Sequence, residues 1–105
     1  MAIPATITLV TATPEGNQDA AGWSVASGLY EVIIAGQTWG GATVALEAYD
    51  STNAAWIATG DTWTADAVPK IEFAGNVPHR YTLSVTGTSA DIDILTHLIR
   101  RYSLN

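Results

Sequence analysis

The chain has 105 residues, no cysteine and a formal net charge of −6. This length fits one domain, residues 1–105, which buries roughly 60–70% of the surface of its unfolded chain. Without cysteine there is neither a disulfide framework nor a thiolate metal site. The acidity argues against nucleic acid as a partner, and no apolar run approaches the ~20 residues of a membrane span, so we expect no membrane contact. No secretory signal is evident at the N-terminus.

Strand-like patterns follow one another along the chain. In order, the residue types predict strands at 5–13, 23–27, 29–35, 42–49, 54–59, 62–65, 70–73 and 80–86. Turns rich in Gly, Asn and Asp separate them, at 36–41, 50–53, 60–61 and 75–78. The clearest alternation is in the middle block, where Tyr30, Val32 and Ile34 share one strand face and Val44 and Leu46 share another.

The segment 91–102 fits two structures. As a strand, it places Ile92, Ile94, Thr96 and Leu98 on one face. As a helix, it forms an apolar stripe from Ile94 to Tyr102, with Asp91 as its N-cap. Its β-branched residues favour the strand. About eight short strands then predict an all-β fold, a single antiparallel β-sandwich or jelly-roll-like domain.

Charge is distributed unevenly. Residues 1–69 contain seven acidic residues and no Lys or Arg, whereas all four cations lie between Lys70 and Arg101. This polarity suits contacts between subunits, in which complementary potentials set the register, and it also suits simple solubility. Arg80, Arg100 and Arg101 are the only guanidinium groups, and each can form a bidentate bond with a carboxylate of a neighbour.

Four tryptophans are many for this length: Trp23, Trp39, Trp56 and Trp63. Such side chains fill a sandwich core, anchor protein interfaces or stack on sugar rings. A sugar platform would combine Trp39 and Trp56 with Asp50 or Asn53.

Other chemistry-bearing residues do not form a recognisable site. His79 and His97 lack the further ligands that a zinc site needs, and residues 50–53 lack the acidic spacing of a calcium loop. Asp91 and Asp93 share a strand face, but a sandwich this small has little room for a substrate cleft. We therefore expect no cofactor, no metal and no enzymatic activity.

Residues 28–32, 38–46, Asp50 and Trp56, followed by Arg80 to Gly87, resemble small virion proteins of tailed phages and prophages. The resemblance covers residues 28–87. It implies a capsid decoration or cement protein, a β-sandwich bound to the outer surface of the phage head. The implied partners are the major capsid protein, whose neighbouring capsomers it bridges, and further copies of itself in a homotrimer.

For this function the predicted interface residues are Trp23, Trp39, Trp56, Trp63, Arg100, Arg101 and Tyr102. Weak contacts repeated over many copies would give avidity. One alternative is a carbohydrate-binding or adhesion module of a fibre or spike, with a glycan as ligand. Another is a low-copy tail or neck component.

Overall fold

The computed structural model describes residues 6–11, 14–16 and 22–102. Within these residues the strands are β1 (Thr6–Val10), β2 (Gly28–Thr38), β3 (Ala42–Asp50), β4 (Ala55–Trp63), β5 (Lys70–Phe73), β6 (His79–Val85) and β7 (Asp91–Arg101). They form two antiparallel sheets packed together, which confirms the predicted all-β sandwich. Sheet 1 has the order β1-β7-β2-β5, and sheet 2 has the order β4-β3-β6.

The core forms because alternate residues of each strand point between the sheets. In β2, Val32 and Ile34 are buried, and in β7, Ile92 and Ile94 are fully buried. Sheet 2 contributes Val44 and other inward residues of β3 and β6. Each fully buried aliphatic side chain of this size stabilises the fold by about 1.5–3 kcal/mol.

The last described segment is a strand over Asp91–Arg101, so the helical alternative is wrong. β7 pairs with β1 through residues 91–95 and with β2 along most of its length. Pairing on both sides satisfies backbone groups that a helix would bond internally. Near its end, Leu29 opposes Arg100 and Tyr30 opposes Leu98, so Ile99 is the extra residue of a β-bulge.

Two further predictions need correction. Gly60 and Asp61 do not form a turn, because β4 continues through them to Trp63. Instead, three residues of β4, 59–61, oppose the single residue Leu46 of β3, and Gly60 adopts a φ of 96° in this bulge. The predicted strand at 23–27 is reduced to an isolated bridge between Trp23 and His79.

Of the predicted strand 5–13, the described residues show β1 over Thr6–Val10 and a turn at Thr11. Ala5, Ala12 and Thr13 lie outside the described residues. β1 pairs with β7 of the same chain.

The two sheets meet differently at their two long sides. In sheet 2, the pairing register places three residues side by side in one row across the strands: His79 of β6, Ala48 of β3 and Ile57 of β4. In sheet 1, the register forms a corresponding row of Ile71 in β5, Tyr30 in β2 and Leu98 in β7. Both rows therefore begin on the side formed by β5 and β6, which we call the closed side. They end in β4 and in residues 96–101 of β7, beyond its pairing with β1, and these form the open side.

Aromatic rings fill the closed side. Trp23 lies 5.4 Å from Phe73 and 5.8 Å from His79 between ring centroids, and Phe73 lies 5.5 Å from Tyr30. Tyr81 completes this aromatic cluster, 5.6 Å from Trp23. The open side ends instead in Ile57 and Leu98, which are 51% and 45% exposed.

Candidate functional site

The structure separates the four tryptophans that the sequence groups as interface candidates. Trp23 is fully buried in the aromatic cluster, so its side chain is absent from the surface and belongs to the core. Trp39 and Trp63 are partly buried and pack against the core. Only Trp56 lies on the outer face of a sheet, opposite Tyr49 in the β3–β4 register.

Trp56 is the centre of a polar and aromatic cluster on the outer face of sheet 2. Its ring meets Tyr49 edge to face at 5.2 Å, and the Arg80 guanidinium lies over it at 4.5 Å. Arg80 Nε donates to Glu47 Oε1 at 2.7 Å. We call these four residues the Trp56 cluster. β3, β4 and β6 each contribute to it, since cross-strand neighbours on one sheet face lie within side-chain reach.

The Trp56 ring also spans the sheet. A Cβ placed at Gly22 would lie 2.6 Å from Cη2 of Trp56 and 2.6 Å from the carbonyl oxygen of His79. The indole therefore starts on the edge strand β4 and ends beside Gly22, next to the outer edge of β6. This orientation leaves small residues at the free edge of β4.

Trp39 has a different role in the turn between β2 and β3. Its Nε1 and the backbone N of Gly36 both donate to Asp66 Oδ1, at 2.8 and 2.9 Å. These two bonds hold the pKa of Asp66 below its usual value, and they fasten the 64–69 segment to β2. Trp39 lies before the start of β3, and Trp56 lies beside its end. The nine residues of β3 span about 27 Å, so the two indoles are far apart and the predicted sugar platform does not form.

Arg100, Arg101 and Tyr102 come together at the end of β7. Both arginines are exposed, and the Tyr102 backbone N donates to Ser27 O at 2.9 Å. Beside them is an open groove of about 350 Å³, lined by Ser27, Glu72, Phe73, Ala74 and Tyr102. Partial burial raises the pKa of the Tyr102 hydroxyl, and the Glu72 carboxylate raises it further.

The two histidines occupy contrasting positions. His79 is 8% exposed, and its Nδ1 bonds to Val77 O at 2.8 Å. Burial lowers the pKa of His79, while the bond to Val77 opposes the shift. His97 is exposed on β7 opposite Glu31. The structure therefore places the two imidazoles in different surroundings rather than in one site.

Carboxylates and buried hydroxyls also take structural positions. Asp50 accepts bonds from Asn53 Nδ2 and Thr52 N, which hold its pKa below the usual value in an Asx turn. Asp93 accepts a bond from Thr8 Oγ1. Among the described residues, no group of three or more His, Asp or Glu side chains is arranged to hold a metal ion.

Burial raises the pKa of Tyr81, whose hydroxyl interacts with Thr96.

Sequence reasoning misses Glu47, Tyr49 and the contact of Arg80 with Trp56. The sequence does contain a signal for the contact between Tyr49 and Trp56: the predicted hairpin of residues 42–59 brings these two residues opposite each other. Arg80 joins them only through the pairing of β6 with β3, which is a long-range contact.

No family model matches the chain, and the comparisons with curated proteins and with solved structures found no match either. Within the described residues, no helix is long and apolar enough to cross a membrane.

Proposed function

We propose that the chain is a non-enzymatic structural protein of a phage virion, a decoration or cement protein on the outer surface of the head. It binds the major capsid protein and bridges neighbouring capsomers. The observation that carries the proposal is the Trp56 cluster, a Trp, a Tyr and an Arg fixed on the outer face of sheet 2. These residue types dominate the energetics of protein interfaces.

The cluster suits docking because its side chains are already ordered. Arg80 is held by Glu47 on one side and by the Trp56 ring on the other, so binding costs little further side-chain entropy. A single cluster of this size gives weak binding. Repetition over a shell supplies avidity, as a decoration protein requires. The homotrimer implied by the resemblance stays a prediction.

A carbohydrate-binding or adhesion module is the second candidate. It is favoured by the partly exposed rings of Tyr49 and Trp56 beside the Glu47 carboxylate. Aromatic faces with adjacent hydrogen-bonding groups suit sugar rings. Because Arg80 covers one face of Trp56, a sugar would contact the ring surface of Trp56 and Tyr49 that Arg80 leaves uncovered.

Copy number in purified virions tests the first proposal. Quantitative mass spectrometry against the major capsid protein should find hundreds of copies per particle. A dozen or fewer would indicate a tail, neck or fibre component, and none would overturn the virion proposal. A glycan array with Trp fluorescence titration tests the second candidate directly.

The docking surface is tested with shells that lack the protein. Trp56→Ala should reduce cosedimentation with these shells at least tenfold. Trp39→Phe serves as the control, since it removes an indole N–H bond far from the cluster, and it should bind like the unmodified protein. Equal binding by both variants would exclude the Trp56 cluster as the docking surface.

A further inference from the structure

The edge strand β4 differs from the other three edges of the sandwich. β5 has four residues and carries exposed Lys70 and Glu72, and β6 is bridged by Trp23. β1 has five residues, and the 14–16 turn packs on it, with Gly16 close to Thr8 O. β4 has nine residues, pairs only with β3 among the described strands, and contains no Lys, Arg or Pro. Lys, Pro and β-bulges are common devices against edge pairing, and of these β4 has only the bulge at 59–61.

We infer that the edge of β4 pairs with the same edge of a second copy of this chain, in an antiparallel, two-fold arrangement. The two copies of sheet 2 would then form one continuous six-stranded sheet. This pairing is a property of the free chain and does not depend on the virion proposal.

The bulge in β4 selects the register. Regular pairing with β3 runs from Ala55 to Ala58 and is then interrupted by the three bulged residues, so the usable edge is residues 55–58 together with Thr59, where the bulge begins. Opposed residues in an antiparallel pair must point to the same sheet face. Placing Ile57 opposite Ile57 of the second copy satisfies this rule. Trp56 of one copy then lies opposite Ala58 of the other, and Ala55 lies opposite Thr59, so all of residues 55–59 are paired.

Side-chain size and exposure support the same register. The Trp56 indole lies back across β3 toward Gly22, so it does not obstruct a strand at the edge. Ile57 is 51% exposed in the monomer, at the open side of the sandwich. At the two-fold axis, the two Ile57 side chains would cover each other, because directly opposed Cβ atoms lie about 4.5–5.5 Å apart.

Charge opposes a second copy less at this edge than where carboxylates are exposed. A chain of net charge −6 repels its copies wherever carboxylates meet. Asp61 is the only charged residue of β4, and in the Ile57-centred register the two Asp61 residues lie about 26 Å apart along the strands. The uncharged edge thus allows two acidic chains to approach closely.

Sedimentation velocity over a series of protein concentrations tests the inference. The unmodified chain should shift toward twice its 11.0 kDa mass as concentration rises. The shift should be gradual, because five paired residues bury less than a standard interface. Ile57→Lys should remain monomeric. Val68→Lys is the matched control, because Val68 is 56% exposed away from this edge, and it should associate like the unmodified chain.

Introduced cysteines test the register, since the chain has no cysteine of its own. Under mild oxidation, Ile57→Cys should form a disulfide-linked dimer rapidly, and Ala55→Cys should not, because its two copies would lie about 13 Å apart. A monomer at every concentration, a three-fold mass, association of Ile57→Lys, or equal cross-linking at both positions would overturn the inference. Circular dichroism of each variant confirms that it is folded.

Discussion

On the closed side of the sandwich, the residue rows begin in His79 and Ile71, which are 8% and 9% exposed, and Trp23 beside them is fully buried. On the open side, the same two rows end in Ile57 and Leu98, each about half exposed. The difference arises because Trp23 bridges the outer edge of β6 and fills the gap between the sheets, whereas no described segment does so beside β4. Stability should therefore depend on the closed side, and association on the open side.

Truncating one large side chain on each side should give very different losses of stability. Trp23→Ala removes the indole from a fully buried position and should reduce the free energy of unfolding by about 3–5 kcal/mol. Ile57→Ala, at a half-exposed position, should change it by about 0.5 kcal/mol or less. Urea unfolding of dilute protein measures both. Equal losses would contradict the assignment of the core to the closed side.

Two glycines with positive φ allow a second test of the same contrast. Gly22 has a φ of 72° and Gly60 a φ of 96°, so alanine is strained at both positions. At Gly22 the new Cβ would also meet His79 O and the Trp56 ring, whereas at Gly60 nothing lies within 4 Å. Gly22→Ala should cost about 2–4 kcal/mol and Gly60→Ala about 1 kcal/mol. Thermal unfolding compares them, and a larger loss at Gly60 would refute the contact argument.

Acidification should destabilise the closed side through His79. Burial lowers the pKa of His79 in the folded protein, while the unfolded chain titrates near 6.5. As the pH falls below about 6.5, the unfolded state takes up the proton first, so stability decreases until the folded-state pKa is passed. One proton limits the slope to about 1.4 kcal/mol per pH unit.

The melting temperature measured between pH 7.5 and 5 follows this loss. His79→Gln should flatten its pH dependence, because it removes the buried imidazole. A steep pH dependence that persists in His79→Gln would assign the effect to another group.

Local patterns predict the strands well and the contacts between them poorly. Within β2, β3 and β6, apolar and polar side chains alternate with a period of two, so each strand can be predicted from its own sequence. Gly60 and Asp61 have the residue types of a turn, but the same types serve a bulge, and only pairing with β3 distinguishes the two. The burial of Trp23 depends on His79, 56 residues further along the chain. Contacts between residues this far apart in the sequence decide which Trp lies in the core and which lies on the surface.

The Trp56 cluster is the one described feature that connects the two sides across the outer face of sheet 2. Its indole runs from the open edge strand β4 to Gly22 on the closed side. A double-mutant cycle with Arg80→Leu and Glu47→Gln should give a coupling energy of about 0.5–1 kcal/mol, because the pair is partly exposed.

Arg80→Leu should also increase hydrogen exchange in β4 more than in β2, because removing the cation over the ring weakens the hold on the edge strand alone. Thr82→Ala on the same strand is the control, and it should leave the exchange of β4 unchanged. Uniform acceleration throughout both sheets would mean that the cluster supports global stability instead. Faster exchange confined to β4 would show that the open edge has its own low-energy opening, held by Arg80 and Trp56 and separable from the closed side.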